Sequence, residues 1–543
     1  MTVVPARPPG SPRSSRVSGV SRSSGSPRFY GASGASGFFG ASGSSGACDP
    51  WPVSGLRPWL VIAALTLLAT ACVLLAWTLD TSDRPMTAIV WGGLALAALV
   101  FGLLCLIGGA LFHDLGLGRW KVGSLMLVWY ALAYGVASVS WSQPQVGSAG
   151  QIGVSSVLRA LWLVAVGIIT WTAGYLVGPG RPAQRSAGRV ARALGRRFGD
   201  QVRGPAVPWI LYAIGMAAQL DNIATTGVFG YTGNVSAAVT TATSFGGVLG
   251  AVGQCAPLSV AVAAMRVFIE RRRYAWITLV ILFSAEVTFG ALSGFKGTFI
   301  TAVIAVAIPL SVSRRRLPKV PLILGALAFL LIVIPFNGIY RSVVRQGSVS
   351  LTPGQAVAAA PEIFRQSVTG NAGTAALSSS VIYLMQRIRE IDNVAIIVQR
   401  TPQQIGFRSP LQLIEAPVAG VVPRALWPDK PLNLTGYEFS QEYFGEPSTI
   451  YTSTAETFVG GLYLYGGWLP VLAGMFLLGC AVRLLDDQFD VRTNPHAILL
   501  VLLVFPLLVI GENDWSTILS SIPSAAFVWL LAIFITFGRA QRE

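Results

Sequence analysis

Long apolar runs, separated by connections that are alternately rich and poor in arginine and lysine, constrain this chain more than any other feature. Each run has about 15 to 27 residues, close to the length that an α-helix needs to cross a bilayer. Only 11% of all residues are charged, against about a quarter in soluble proteins. We therefore predict an all-α polytopic membrane protein. Its twelve or so predicted spans are approximately 58–79, 86–112, 122–140, 154–177, 206–220, 246–265, 274–292, 298–313, 320–338, 457–481, 497–511 and 517–537.

The distribution of basic residues predicts the orientation of these spans. With a cytoplasmic N-terminus, the predicted cytoplasmic segments hold 27 of the 39 Lys and Arg residues, and the outside segments hold 11. Because basic residues favour cytoplasmic connections, we predict that both termini are cytoplasmic and that the protein resides in the cytoplasmic (inner) membrane. The net charge of +16 is then explained by the basic cytoplasmic connections that orient the spans. It does not indicate a nucleic-acid-binding surface, and no nucleic-acid partner is predicted.

Two polar stretches interrupt the apolar pattern. Residues 1–56 are rich in Ser, Gly, Arg and Pro and predict a disordered cytoplasmic tail. Residues 339–456 predict one large extracytoplasmic loop. Spans 1–9 precede it in residues 57–338, and spans 10–12 follow it in residues 457–543, which end in a short cytoplasmic tail. Within this loop, the apolar residues of 378–400 recur every three or four positions. This spacing predicts an amphipathic helix that packs on the membrane-embedded part of the protein. A helix that lies against the lipid surface is the second interpretation.

Cysteine and histidine usage indicates neither a metal site nor a disulfide framework. None of the five cysteines lies in the large loop, and no pair has metal-ligand spacing. The two histidines, His113 and His496, both fall in predicted cytoplasmic segments. A Gly-rich phosphate-binding loop is also missing from the sequence. The sequence thus predicts no metal and no cofactor, and an activated phosphate would have to arrive on the substrate.

Basic residues of the outside segments are candidate phosphate-binding groups. Arg341 and Arg345 follow the ninth span and are four residues apart, so that in a helix they would share one face and could clamp a phosphate or pyrophosphate. Anchoring of the span at the interface is an equally open interpretation. Lys296 lies in the short turn Ser293–Gly297, where it could contact an anionic substrate or simply a lipid headgroup.

The segment Val422–Pro431 reads Val-Pro-Arg-Ala-Leu-Trp-Pro-Asp-Lys-Pro. Its three prolines restrict the backbone, and the ring of Trp427 suits a lipid headgroup layer. Together with Arg424 and Lys430, this composition predicts that the segment binds a polar, anionic ligand close to a membrane surface.

Four carboxylates are candidates for a catalytic acid or base. Glu286 lies within the seventh predicted span, where a carboxylate is costly unless it is paired or faces a cavity. A structural pair with Arg159 is as open as a catalytic role. The other three lie in the large loop: Asp392, Asp429 and Glu456. The sequence does not rank them.

The segment 422–431, followed by Gly436, Phe439 and Tyr443, resembles the large loop of bacterial oligosaccharide repeat-unit polymerases, the Wzy or O-antigen polymerase type. The resemblance covers mainly residues 286–300 and 380–470. Three further segments share it: Arg387–Asp392 with the following Thr401 and Pro402, Ser453–Gly467, and Ser293–Gly297.

The resemblance implies a metal-independent glycosyltransferase of the cell envelope. Such an enzyme joins polyprenyl-pyrophosphate-linked oligosaccharide repeats into a surface polysaccharide or exopolysaccharide at the outer face of the cytoplasmic membrane. Its implied partners are that lipid-linked oligosaccharide, the lipid bilayer, and the chain-length regulator and flippase of the same pathway. The residues implied to stabilise the departing pyrophosphate are Arg341, Arg345, Arg424, Lys296 and Arg389, and those implied as base are Glu286, Asp392, Asp429 and Glu456.

Other functions stay open. One alternative is an O-antigen ligase. Members of that group resemble one another in using a histidine of the outside loop, whereas both histidines of this chain are predicted to be cytoplasmic, which argues against a ligase. A different lipid-linked glycan transferase is a second alternative. A transporter or lipid-linked oligosaccharide flippase is the third, although the two halves of the sequence show no internal repeat of the kind that transporters often have.

Overall fold

The computed structural model describes most of the chain beyond the N-terminal tail. The described residues are 85–108, 120–141, 145–146, 150–230, 232–233, 246–314, 318–346, 349–369, 384–428, 430, 434–447, 453–510 and 513–539, with 69, 70, 73 and 381. They are mostly helical, and nine of their helices are long and apolar enough to cross a membrane. The predicted disordered tail and the bulk of the first predicted span lie outside the described residues.

Nineteen helices in the described ranges are numbered here in chain order. They are α1 Pro85–Gly108, α2 Val122–Tyr130, α3 Val154–Val177, α4 Arg181–Arg197, α5 Val207–Thr226, α6 Gly246–Gly253, α7 Cys255–Phe268, α8 Ala275–Ser293, α9 Lys296–Arg314, α10 Lys319–Ala328, α11 Ile334–Val344, α12 Pro353–Thr369, α13 Ile391–Arg400, α14 Leu411–Val421, α15 Thr435–Phe444, α16 Phe458–Leu464, α17 Trp468–Gln488, α18 Pro495–Val504 and α19 Trp515–Thr536. Helical turns of other types extend α2 to Ser140, join α10 to α11, and extend α18 to Val509.

Short strands form three antiparallel pairs in the described part of the chain. They are β1 Gln145–Val146 with β2 Gly150–Gln151, β3 Phe198–Val202 with β6 Phe537–Arg539, and β4 Arg345–Gln346 with β5 Val349–Ser350.

The nine long apolar helices coincide with nine predicted spans: the second to fourth, the sixth to tenth and the twelfth. The fifth predicted span is α5, which does not meet the same criterion of length and hydropathy. The eleventh is the shorter apolar helix Pro495–Val509. The membrane-protein class is thus confirmed, while the number twelve stays a prediction.

The tenth span begins later than predicted. The sequence predicts one run over 457–481, but the short helix α16 ends at Leu464 and α17 starts only at Trp468. Between them, Gly466 and Gly467 have φ angles of 144° and 76°, a backbone conformation that glycine adopts far more readily than other residues. The two glycines separate α16 from the span, and α16 becomes part of the structure formed by the loop.

Helices α3 and α17 touch backbone to backbone. A Cβ atom on Gly174 would lie 2.0 Å from the carbonyl oxygen of Phe476, and one on Gly479 would lie 2.0 Å from that of Trp171. The thiol of Cys480 also donates a hydrogen bond to the Gly174 carbonyl, at 3.3 Å. Small residues permit this close packing between membrane helices, and here they join two spans that are about three hundred residues apart in sequence.

Asp486, at the end of α17, connects this helix pair to α2. Its carboxylate accepts hydrogen bonds from the backbone N–H groups of Val122 and Gly123, at 2.7 and 3.0 Å, and from the Tyr175 hydroxyl at 2.8 Å. The first N–H groups of a helix have no partner inside that helix, and a negative charge is favourable at this end. Asp486 therefore holds α2 and α3 at the same end of α17.

The predicted amphipathic helix of the loop packs on α3, as expected. Ile391, Val394, Ala395 and Ile397 are buried, α13 contacts α3, and it ends at Arg400 as predicted. The helix is not continuous over 378–400, however. Residues 384–388 are helical and the following two residues are not, since Arg389 turns toward the end of α2, where its side chain forms the contacts described below.

We expect Gly479→Leu to disrupt the packing of α3 against α17, because the added side chain meets a backbone carbonyl that cannot move aside. Overpacking of this kind costs about 1–3 kcal/mol, and occasionally more. The measurement is the midpoint of thermal unfolding in detergent, with the monodisperse fraction from size-exclusion chromatography. The matched control is Gly195→Ala in α4, where an added Cβ would meet nothing within 4 Å. Equal unfolding midpoints for the two variants would contradict the close contact.

Candidate functional site

An acidic cluster lies where the large loop meets the spans. Glu456 precedes α16 and is 1% exposed. Arg408, after α13, donates a hydrogen bond from Nη1 to Glu456 Oε1 at 2.6 Å. Asp514, before α19, and Tyr465, after α16, lie close enough to interact electrostatically with Glu456. We call Arg408, Glu456, Tyr465 and Asp514 the acidic cluster.

Backbone contacts fix the segments that carry this cluster. The Arg408 N–H donates to the Leu464 carbonyl at 2.8 Å, which attaches the segment after α13 to the end of α16. Asp514 caps α19 by accepting hydrogen bonds from the N–H and the hydroxyl of Thr517, at 2.9 and 2.5 Å. The indole of Trp515 donates to the Phe458 carbonyl at 2.8 Å, and α19 is thereby attached to α16.

Thr457, directly after Glu456, has a strained backbone. Its φ is 65° and its ψ is 164°, a combination that is essentially confined to glycine. The residue is fully buried, and its hydroxyl accepts a hydrogen bond from the Gly460 N–H at 3.2 Å. Strain of about 1–3 kcal/mol persists only where the surroundings impose it, and it concentrates at functional sites. Here it lies beside the buried carboxylate.

The pKa of the Glu456 carboxyl is raised to about 7, mainly by burial. The nearby Asp514 and Glu438 carboxylates also raise it, and the Arg408 guanidinium opposes the rise. A group with a pKa near neutral pH can both accept and release a proton under physiological conditions. Glu438 and Glu442 of α15 are exposed, which gives the cluster an acidic, solvent-facing side. The arrangement is suited to proton transfer at the membrane surface.

Arg389 and Asp392, predicted as a phosphate-binding cation and a base, bind each other. Arg389 Nε lies 2.9 Å and its Nη2 2.8 Å from Asp392 Oδ2, and Trp141 Nε1 donates to Asp392 Oδ1 at 2.9 Å. Arg389 Nη1 also donates to the Ser140 carbonyl at 2.9 Å. Burial raises the pKa of Asp392, while Arg389 and Trp141 lower it. The pair attaches the loop to the segment that follows α2.

Arg341 binds the turn that contains Lys296. Its Nη2 and Nε donate to the Gly294 carbonyl at 3.1 and 3.4 Å, and the neighbouring Tyr340 hydroxyl donates to the Leu292 carbonyl at 2.5 Å. The helix ends at Val344, because Arg345 begins β4 and pairs with Ser350. The condition for a helical arginine clamp is thus not met. The side chains of Lys296 and Arg345 lie outside the described part of the structure.

The proline-rich segment forms a turn that closes on itself. Arg424 Nη1 donates a hydrogen bond to the Pro428 carbonyl, and Lys430 Nζ donates one to the Val422 carbonyl, both at 3.1 Å. The backbone N–H of the half-buried Trp427 donates to the Pro423 carbonyl at 3.2 Å. Burial and the adjacent Arg424 charge lower the pKa of Lys430. The two predicted cations are thus neighbours. Asp429 lies outside the described residues.

Glu286 is buried in α8, with 1% of its surface exposed. Within the described ranges, no group forms a hydrogen bond with its Oε2 atom, and the ion pairs found there do not include it. The predicted pair with Arg159 is not formed, because Arg159 is exposed on α3 and lines a cavity of about 480 Å³. Trp162, Gln403, Tyr463 and Trp468 line the same cavity.

Sequence reasoning missed Arg408, Tyr465 and Asp514. An Asp before Trp-Ser-Thr and an apolar run is a helix-start signal, which could have identified Asp514 as a capping residue. Nothing in the sequence places it next to Glu456, and Arg408 is separated from Glu456 by 48 positions. Among the predicted bases that the structure describes, Glu456 is the one that lies close to both a cation, Arg408, and a second carboxylate, Asp514.

A direct measurement of Glu456 protonation is possible with dicyclohexylcarbodiimide, which modifies protonated carboxyl groups in apolar surroundings. Because the ionised form predominates above the pKa, we expect modification of Glu456 to fall as the pH rises, with half-maximal labelling near pH 7. Peptide mapping by mass spectrometry reports the modification. Glu362 is the control, since its exposed carboxylate is bonded to Arg365, which lowers its pKa to about 2. Labelling of Glu456 that does not vary between about pH 5 and 9 would contradict the raised pKa.

A family model described as a domain of unknown function (DUF8712) matches residues 223–491. This range includes Glu286, Arg408 and Glu456 and ends before Asp514. No curated protein and no solved structure matches the chain.

Proposed function

We propose that this protein is a polymerase of the Wzy type, which joins polyprenyl-pyrophosphate-linked oligosaccharide repeats into a surface polysaccharide or exopolysaccharide. The reaction takes place at the outer face of the cytoplasmic membrane. The observation that carries the proposal is the buried Glu456 carboxylate, held by Arg408 at the foot of the large loop. It adds to the resemblance of residues 422–431 and 453–467.

In this reaction Glu456 acts as general base. A hydroxyl group of the incoming repeat unit attacks the anomeric carbon of the growing chain, and its proton passes to the Glu456 carboxylate. The bond from that carbon to the carrier pyrophosphate breaks, and the carrier leaves with the electron pair. A base with a pKa near the working pH is the most effective for this step, and Arg408 keeps the carboxylate oriented through the 2.6 Å hydrogen bond.

The leaving pyrophosphate needs positive charge. Arg424 and Lys430 lie on one closed turn, and a pair of cations can stabilise the charge that develops on a phosphate. The turn follows α14, which packs on α19, and Asp514 of the acidic cluster caps that same helix. Base and cations are therefore both organised by α19. Arg341, held by the Gly294 carbonyl, is assigned a supporting role in the turn of Lys296.

We expect Glu456→Gln to lower polymer formation by about 100-fold or more, because removal of a general base typically costs that much. Single lipid-linked repeats should accumulate while the amount of protein in the membrane stays normal. The measurement is the length distribution of the surface polysaccharide together with the pool of lipid-linked intermediates. The matched control is Glu362→Gln, an exposed glutamate of the same loop. Unchanged polymer in Glu456→Gln would refute the assignment.

We expect Arg424→Ala to reduce polymer formation by about 100-fold, the usual cost of removing one group that stabilises a transition-state charge. Arg365→Ala is its control, because that arginine of the same loop forms an exposed pair with Glu362, of a kind that contributes little. If both arginine variants make polymer of wild-type length, the pyrophosphate has another binding site.

A lipid-linked oligosaccharide flippase is the second candidate, and Glu286 favours it. A buried carboxylate in a spanning helix is expensive and often takes part in proton-coupled transport. Deletion of the gene distinguishes the two functions. Accumulation of single repeats in the outer leaflet supports the polymerase, and accumulation in the cytoplasmic leaflet supports the flippase. Glu286→Gln should then block translocation in the second case only.

A further inference from the structure

The surface of α14 is unusual for a polar loop. Leu411, Ile414, Val418 and Val421 recur at three- and four-residue spacing and are 62%, 68%, 54% and 62% exposed. Leu426, in the turn that follows, is 79% exposed. Water-facing surfaces rarely carry a contiguous apolar patch of this kind unless it binds a membrane or another molecule.

The opposite face of α14 is fixed to a membrane span. A Cβ atom on Gly420 would lie 2.1 Å from the carbonyl oxygen of Ser520 in α19, and Ala416, one turn earlier, is buried. Small residues thus bring the α14 backbone against the α19 backbone, as they do between membrane helices. The apolar arc of α14 is held beside a span and cannot turn inward.

The neighbouring surface of α19 identifies the occupant. Ile522, Phe527, Leu530 and Phe534 of this spanning helix are about half exposed, and side chains of that type on a span face lipid. Because α14 lies against α19 at Ser520, its apolar arc adjoins a surface that the bilayer already covers. Hydrocarbon is therefore available to the arc without any further protein partner.

The length and flanking residues of α14 indicate how deep it lies. Eleven residues make a helix of about 16 Å, which is too short to cross a hydrocarbon core of about 30 Å. Gln412 and Glu415 are exposed beside the apolar arc, as in helices that lie in the membrane interface. Arg424, Trp427 and Lys430 come immediately after the helix, and basic and aromatic residues of this kind favour the headgroup layer.

We infer that α14 is an interfacial helix, inserted by its apolar arc into the leaflet that contains the N-terminal end of α19. The turn formed by residues 422–428 and Lys430 consequently lies among the lipid headgroups. The large loop therefore enters the membrane interface at this point. The inference does not depend on the proposed function. For any function, it places Arg424 and Lys430 at the height of lipid phosphates.

The test uses the full-length protein in nanodiscs of phosphatidylcholine and phosphatidylglycerol. Spin labels on Ile414→Cys and Val418→Cys, in a background without the native cysteines, should be more accessible to oxygen than to a water-soluble nickel chelate. A label on Gln412→Cys, in the same helix, should show the reverse. We expect the ratio of the two accessibilities to differ several-fold between positions 414 and 412.

A second measurement avoids substitutions altogether. An apolar diazirine probe dissolved in the lipid should label the peptide that contains residues 411–426 in the wild-type protein. It should label this peptide more heavily than the one that contains the exposed Glu362 and Arg365 of α12. Nickel accessibility at position 414 equal to that at position 412, or absence of diazirine labelling from 411–426, would overturn the inference. So would a disulfide between two copies at Ile414→Cys, since a second protein chain would then cover the arc.

Discussion

The rest of the structure depends on the backbone contact between α3 and α17. Gly174 and Gly479 remove the side chains that would keep these helices apart, and dispersion over such a close contact is what associates helices in lipid, where the hydrophobic effect between them is weak. The pair joins an early span to a late one. It also supplies the surface on which α13 packs, and α16 comes immediately before α17. The large loop, which precedes α17 in sequence, is therefore folded back onto both helices in space.

The buried carboxylates of this structure differ in the groups that surround them. Asp486 and Asp392 are surrounded by donors, and each connects two segments. Glu456 is also bonded, yet it shares its surroundings with Asp514 and is followed by the strained Thr457. A buried ion pair is weak evidence for stability, because desolvation offsets much of the attraction. Because Glu456 is buried, has a raised pKa and is followed by the strained Thr457, we place it at the centre of the proposed mechanism.

Several elements could be predicted from local pattern. The third and fourth spans have the predicted bounds. Helix α13 ends at Arg400 and buries Ile391 and Ala395 of the predicted apolar stripe. These features follow from hydrophobic periodicity and helix-stop signals, both of which act within a few turns. The errors arose where a distant segment decided the outcome. The helix over 378–400 is interrupted at Arg389, whose partners Ser140 and Asp392 include one about 250 positions away, and the helix with Arg341 ends where β4 pairs with β5.

By itself, the sequence determined that the chain is a helical membrane protein, and it identified Glu456, Arg424 and Lys430 as chemically unusual residues, because run length, charge distribution and residue type are local properties. The tertiary structure alone decided which of these residues meet. Arg408, Glu456 and Asp514 come together only because α16 and α19 are joined through Trp515 and Phe458. Likewise, α14 reaches the bilayer surface only because Gly420 packs on Ser520. Contacts between such distant positions depend on how the spans pack, and periodicity along the chain carries no information about them.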